Sequence, residues 1–200
     1  MPAIGITGGI ATGKSSFVNF LRQLLPGAHF FDADEMAREL TRTDPAVLAG
    51  IRREFGPEIF QANGELNRSA LRAIVFAAPL KRRALEQILH PRIREHWAGE
   101  AEKYRRSTEL FFADIPLLYE TDGEKLCDRV VVVACSEEIQ VERLMKRTKM
   151  DRASVGAMIS SQMALPEKIG RANHVVWNNG PERILAEQAR LLVGLWKANL

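Results

Sequence analysis

Eight residues near the amino end carry the clearest chemistry in the chain: Gly8-Gly9-Ile10-Ala11-Thr12-Gly13-Lys14-Ser15. They satisfy the G-x-x-x-x-G-K-[ST] pattern of a phosphate-binding loop at every constrained position. Gly8 and Gly13 let the backbone wrap closely around an oxyanion, with successive N–H groups turned inward. Lys14 brings an ammonium to the β- and γ-phosphates of a nucleoside triphosphate, and the Ser15 hydroxyl is placed to ligate Mg²⁺. The glycine spacing of a dinucleotide-binding turn, G-x-G-x-x-G, is absent. The chemistry indicated is therefore that of a nucleoside triphosphate.

Carboxylates and cations elsewhere could complete such a site. Asp32 and Asp34 flank Ala33 at the end of an apolar run, His29-Phe30-Phe31, and would share one side if a strand continued through them. In an open parallel sheet the ends of strands are where ligands gather, and a carboxylate there can take a hydroxyl proton or support Mg²⁺. Capping of the following helix is the better reading of Asp32, and the chemical role falls to Asp34. Asp114 closes Leu110-Phe111-Phe112-Ala113 and is the candidate for holding Mg²⁺ through water. Arg143 and Arg147, four residues apart on one helical face with Lys146 beside them, suit a basic lid that closes on a transferring phosphoryl group. His90, before Pro91, is a cap, a packed residue or a substrate contact. Asn178, in Asn178-Asn179-Gly180, lies in a turn of the kind that borders adenine in nucleotide kinases.

These residues need strands to carry them. Ala3–Thr7, His29–Asp32, Leu110–Asp114, Arg129–Cys135 and His174–Trp177 read as five short buried strands. Helices are expected over Lys14–Leu25, from a Ser136 cap to about Lys146, and along the Leu185, Ala189, Leu192, Trp196 stripe. The alternation predicts an α/β three-layer sandwich on a five-stranded parallel sheet. Between roughly Asp44 and Arg106 the pattern becomes helix after helix: Ala46–Phe55, Asn67–Phe76, Pro79–Leu89 and Pro91–Tyr104, the last two separated at His90-Pro91. We read it as an inserted helical domain at 44–106, in a nucleotide-binding core made of 1–43 and 107–200, with a lid within about 143–165.

Composition limits the classes that remain. The 200 residues are 46% hydrophobic and 26% charged, close to the globular average, which excludes disordered, collagenous and disulfide-rich chains. A net charge of +3 is too mild to indicate nucleic acid. No apolar run approaches the roughly 18 residues of a membrane span, no signal-like segment opens the chain, and two cysteines, Cys127 and Cys135, suit a reducing compartment. We expect a cytoplasmic protein with little trimmed from its start, without nucleic-acid or membrane partners. Trp97, Trp177 and Trp196 are expected in the core or an interface. On the residues alone, a kinase acting on nucleosides or nucleoside monophosphates and a nucleotide-dependent switch both stay open.

Beyond the phosphate loop, which many unrelated enzymes share, a longer set of segments is similar to the dephospho-CoA kinase family. It comprises Ile6-Thr7-Gly8-Gly9-Ile10 leading to Gly13-Lys14-Ser15, Asp32-Ala33-Asp34 with Ala37-Arg38, Leu71-Arg72 with Val75-Phe76, Leu89-His90-Pro91, Ile115-Pro116-Leu117-Leu118 with Glu120, Gln140 with Arg143, and Asn178-Asn179-Gly180. The resemblance implies a fold of the P-loop nucleoside-triphosphate hydrolase and nucleotide-kinase type. It implies transfer of the γ-phosphoryl of ATP, with Mg²⁺, to the 3′-hydroxyl of the dephospho-CoA ribose, giving CoA and ADP in the last step of coenzyme A synthesis. By the same resemblance Asp34 is the base and Lys14 and Arg143 are catalytic. Gly8 through Ser15, Ser16, Arg143 and Asn178 bind ATP; Ser15 and, through water, Asp114 hold Mg²⁺; Asp32, Arg38, Arg72 and His90 contact dephospho-CoA, which docks on the helical insertion. Two departures stand out: Ala11-Thr12 replaces the usual Gly-Ser or Gly-Ala, and Asn67-Arg68 replaces a common Asp-Arg.

Overall fold

The computed structural model describes residues 3–107 and 109–198. In chain order it runs β1 (Ala3–Gly8), α1 (Lys14–Leu24), β2 (His29–Asp32), α2 (Ala33–Thr43), α3 (Pro45–Phe55), α4 (Arg68–Ala77), α5 (Pro79–Arg105), β3 (Phe111–Asp114), β4 (Arg129–Ala134), α6 (Glu137–Thr148), α7 (Arg152–Ser160), α8 (Leu165–Arg171), β5 (His174–Trp177) and α9 (Glu182–Ala198). Short 3₁₀ turns lie at Pro57–Ile59 and Gly123–Leu126.

The strands form one sheet in the order β2-β3-β1-β4-β5. β1 pairs in parallel with both β3 and β4, and β4 in parallel with β5. The register sets Ile6 opposite Asp114, Gly8 opposite Val133 and Ala134 opposite Trp177. The carboxyl ends of β1, β3, β4 and β5 therefore lie along one edge of the sheet. The chain leaves β1 between neighbours reached by crossovers in opposite directions, the position where open α/β sheets form their ligand crevice.

Period-two alternation in the strands decides what covers each face. Ile4, Ile6, Phe112, Val131, Val133 and Val176 turn to one face and pack against Phe17, Val18 and Leu21 of α1 and Leu185, Ala189, Leu192 and Trp196 of α9. Burying each of the valine, leucine, isoleucine and phenylalanine side chains among them contributes about 1.5–3 kcal/mol. On the opposite face Gly5 leaves room for Leu118 and Cys127: a Cβ there would lie 2.6 Å from Cys127 Sγ. α8 packs against β4. The result is the three-layer α/β sandwich on a parallel sheet that the alternation predicts. Trp196 and Trp97 are buried, whereas Trp177, on the edge strand, is 45% exposed.

The chain divides into two compact units, one of Met1–Phe31 with Glu100–Leu200 and one of Asp32–Gly99. The second is helical, built on Leu40, Val47, Ile51, Phe55, Ile59, Leu66 and Leu71, with Leu85, Ile88, Leu89 and Ile93 packed against them. The break expected at His90-Pro91 does not occur, because α5 runs unbroken through Pro91. Proline removes one main-chain hydrogen bond at a cost of about 3 kcal/mol. Around it, Leu89 and Ile93 pack on the helical core, and the Arg92 guanidinium reaches the Asp44 carboxylate at 2.7 Å. These contacts offset the loss and carry the helix through. Asn67 caps α4, its Oδ1 accepting from the Ala70 N–H at 3.1 Å, so asparagine does there what aspartate would.

Candidate active site

The phosphate loop hangs from the end of β1 and feeds α1 through Gly13, whose φ of 93° only glycine adopts without strain. Its glycines are required by contact as well. A Cβ on Gly8 would stand 2.4 Å from the Val133 carbonyl oxygen, and one on Gly13 would stand 2.1 Å from Asn178 Nδ2. Ala11 adopts φ 62°, so the departure from glycine at this position puts a methyl group on left-handed backbone.

Local hydrogen bonds fix the loop. Thr12, fully buried, donates its hydroxyl to the Gly9 carbonyl at 2.9 Å. The Gln140 amide donates to the Ile10 carbonyl at 2.8 Å, and Gln162 Oε1 accepts from the Ile10 N–H at 3.0 Å. Asn178 Nδ2 donates to the Thr12 carbonyl at 2.8 Å, which makes this side chain a brace for the loop.

α1 begins differently from α2, α3, α6 and α7. Asp32, Asp44, Ser136 and Asp151 each cap a helix by accepting from its first N–H groups. Gly13 supplies no side-chain cap, and no acidic residue lies in the first turn of α1. The first N–H groups of that helix thus have neither a capping side chain at Gly13 nor an acidic residue of their own turn, an arrangement that suits a phosphate. Ser15 and Ser16 are exposed there.

Two cations and one carboxylate complete the arrangement. The Lys14 ammonium forms an ion pair with Asp114 at the end of β3, both side chains largely buried. Arg143, on α6, brings Nη1 to 4.0 Å from the Cβ position of Gly13. That Nη1 is buried and has no hydrogen-bond partner among the described residues. A cationic donor held against the loop in this way fits an anionic ligand. The guanidinium also adjoins the Cys135 thiol, where it partly opposes the rise that burial imposes on the thiol's pKa. Arg147 and Lys146 are exposed in the last turn of α6.

A second buried ammonium, Lys168 on α8, pairs with Glu120 and reaches the Gly8 carbonyl. Nothing in its spacing singles it out in the sequence, and Gln162 is equally unmarked; only the fold brings them to the loop.

The remaining candidates belong to the helical unit. β2 ends at Asp32 and α2 starts at Ala33, so the two aspartates do not share a strand face. Asp32 Oδ1 accepts from the Asp34 and Glu35 N–H groups, at 2.9 and 3.0 Å. Asp34 is exposed in the first turn of α2, with Arg38 one turn on, and Arg72 is exposed on α4. His90 is half-buried within α5; burial holds its pKa below the usual imidazole value, and Glu86 opposes the shift. Among the described residues no group of three or more His, Cys, Asp or Glu could hold a metal ion, and no helix is long and apolar enough to cross a membrane.

Comparison with known proteins places this geometry in context. Residues 2–183 match the CoaE family model, dephospho-CoA kinase. The chain is 44% identical over 197 residues to the dephospho-CoA kinase of Anaeromyxobacter dehalogenans, covering 98% of this chain and 92% of that protein. It is 39% identical over 196 residues to that of Geobacillus kaustophilus, covering 98% and 96%. The solved dephospho-CoA kinase of Campylobacter jejuni shares the fold with a TM-score of 0.75 at 24% identity, over 99% of this chain and 98% of that one. With the whole P-loop core and its helical unit inside the matched length, the chain belongs to the dephospho-CoA kinase family of P-loop kinases.

Proposed function

We propose that this chain transfers the γ-phosphoryl group of ATP to the 3′-hydroxyl of the dephospho-CoA ribose. The ribose oxygen forms a bond to the γ-phosphorus as the bond from that phosphorus to the β–γ bridging oxygen breaks. ADP departs, and the hydroxyl proton passes to the Asp34 carboxylate. The observation that carries the donor half is the uncapped start of α1 behind Gly13, with Lys14 and the unpartnered Nη1 of Arg143 beside it. Family membership over nearly the full chain carries the acceptor half.

Each residue then has a task. The loop N–H groups from Gly8 to Ser16 hold the phosphates in line, and Lys14 and Arg143 spread the charge that accumulates on the transferring group. The Asn178–Gly180 turn borders the nucleoside. Ser15 and Asp114 offer a hydroxyl and a carboxylate, the hard oxygen donors that Mg²⁺ takes together with water and phosphate oxygens. When bound there, Mg²⁺ neutralises phosphate charge. Residues 44–106 dock dephospho-CoA, with Asp32, Arg38, Arg72 and His90 toward the substrate, and the segment 143–165 serves as the lid that excludes water. Two free cysteines and a need for ATP suit the cytoplasm.

The test is ADP formation from Mg-ATP with dephospho-CoA, beside matched reactions with AMP, adenosine or no acceptor. Turnover confined to dephospho-CoA is expected. Turnover with AMP or adenosine alone would keep the phosphate site and overturn the acceptor assignment. Slow hydrolysis indifferent to every acceptor would overturn the kinase reading itself.

A further inference from the structure

Lys168 has no solvent exposure, and its ammonium turns to carbonyl and carboxylate oxygens around the start of the phosphate loop. Its ammonium has three acceptors: Glu120 Oε1 at 2.8 Å, the Pro116 carbonyl at 3.1 Å and the Gly8 carbonyl at 3.4 Å. These match the three protons it can donate. Two of the acceptors are main-chain groups on the segments that carry the chemistry. Gly8 ends β1 and opens the phosphate loop, and Pro116 follows Asp114 by two residues. The Thr7 hydroxyl joins the same point, donating to the Pro116 carbonyl at 3.0 Å. Glu120 also accepts from the Met163 N–H at 2.9 Å, so the network extends into the turn between α7 and α8.

A fully buried ammonium paired with a partly exposed carboxylate is a poor means of stabilising a fold, since desolvating the charge is costly and well-packed apolar residues in place of buried pairs are often neutral or better. What the ammonium can do that an apolar side chain cannot is hold the carbonyl at the end of β1 and the one just beyond β3 at a fixed separation. We propose that Lys168 is a positioning residue: by bonding Gly8 and Pro116 together it keeps the phosphate loop in register with the Asp114 carboxylate. The proposal rests on the reading of the loop as the ATP phosphate site.

Four variants, Lys168→Met, Lys168→Arg, Lys168→Met with Glu120→Leu, and Lys14→Ala, test it through kcat, KM for ATP, KM for dephospho-CoA and Tm. Lys168→Met should lower kcat by about tenfold to a hundredfold, as misplacement of a reacting group does, and raise KM for ATP while KM for dephospho-CoA stays near the wild-type value. Lys168→Arg keeps the charge and the pairing with Glu120, but a planar fork cannot aim at three acceptors. It should fold and still lose turnover. The double replacement removes the buried ammonium together with its partly exposed carboxylate partner and should recover Tm without recovering kcat.

Return of kcat together with Tm in the double variant, or wild-type kinetics in Lys168→Met or Lys168→Arg, would overturn the proposal and leave Lys168 a structural residue. Lys14→Ala separates this from failure of the underlying reading. If Lys14→Ala retains turnover, the loop is not the phosphate site. If Lys14→Ala is inactive while the Lys168 variants are normal, only the positioning role falls.

Discussion

The Lys14 ammonium is paired with the Asp114 carboxylate across the β1–β3 junction, so the lysine assigned to the phosphates is already held by an anion. Binding of ATP has to exchange that carboxylate for phosphate oxygens. Asp114→Asn frees Lys14 and removes a negative charge from the site, so ATP without Mg²⁺ should bind at least as tightly as to wild type. Turnover with Mg-ATP should fall by about tenfold to a hundredfold through loss of metal support. Lys14→Ala should weaken both binding and turnover, the latter by about 10²–10³. Calorimetry with and without Mg²⁺ distinguishes the two. A Mg²⁺-free affinity that drops in Asp114→Asn as it does in Lys14→Ala would mean the pair organises the loop and does not merely hold the lysine in reserve.

Asp34 stands exposed in the first turn of α2, while its neighbour Asp32 is occupied with two main-chain N–H groups. Of the two, Asp34 is the one proposed above to take the proton. Asp34→Asn should lower kcat by about 10²–10⁴, the range of general acid–base contributions, with ATP affinity unchanged. Asp32→Ala should instead lower stability by about 0.5–2 kcal/mol through loss of the cap. A near-normal kcat in Asp34→Asn would remove it as the base.

The strands and the loop were legible in the sequence because both are local. Valine-rich Arg129–Ala134 could not read otherwise, and Gly13-Lys14-Ser15 declares its use through residue type and spacing. The unbroken α5 was not legible, since Pro91 is a local stop signal and what overrides it, Arg92 on Asp44 and Ile93 on the helical core, comes from distant residues. Lys168 and Gln162 escaped for the same reason. A lysine in a seven-residue helix looks like any solvated lysine until the fold carries it 160 positions back to Gly8. The brace that Asn178 provides for Thr12, 166 positions away, is equally invisible in the order of residues.

Ala11 occupies left-handed backbone at φ 62°, and its methyl group packs beside Val141, Leu144 and Val155. Left-handed geometry costs an L-residue about 1–2 kcal/mol, whereas glycine adds about 0.5–1 kcal/mol of chain entropy to be lost on folding. Ala11→Gly should therefore be neutral to stabilising by up to about 1.5 kcal/mol, the difference between those limits. Ala11→Val, branched at a position with positive φ, should be clearly destabilising. Urea midpoints give the order Gly, Ala, Val from most to least stable. A valine variant as stable as wild type would show that the loop relaxes out of this conformation at little cost.

His174, at the start of β5, has its pKa held below the usual imidazole value by burial first and by the Arg129 charge second; its Nε2 is buried without a partner among the described residues, edge-on to Trp196. His90 is shifted the same way, by burial. A lowered imidazole pKa means that the unfolded chain takes up the proton first as pH falls. The stability that neutral His174 permits is therefore complete above the unfolded value, about 6.5, and is lost progressively as pH drops below it. Wild type should have a lower urea midpoint at pH 5.5 than at pH 7.5. His174→Phe should show a smaller difference between the two, and the slope that remains includes the share of His90. An unchanged difference in His174→Phe would mean that this imidazole titrates alike in the folded and unfolded chain.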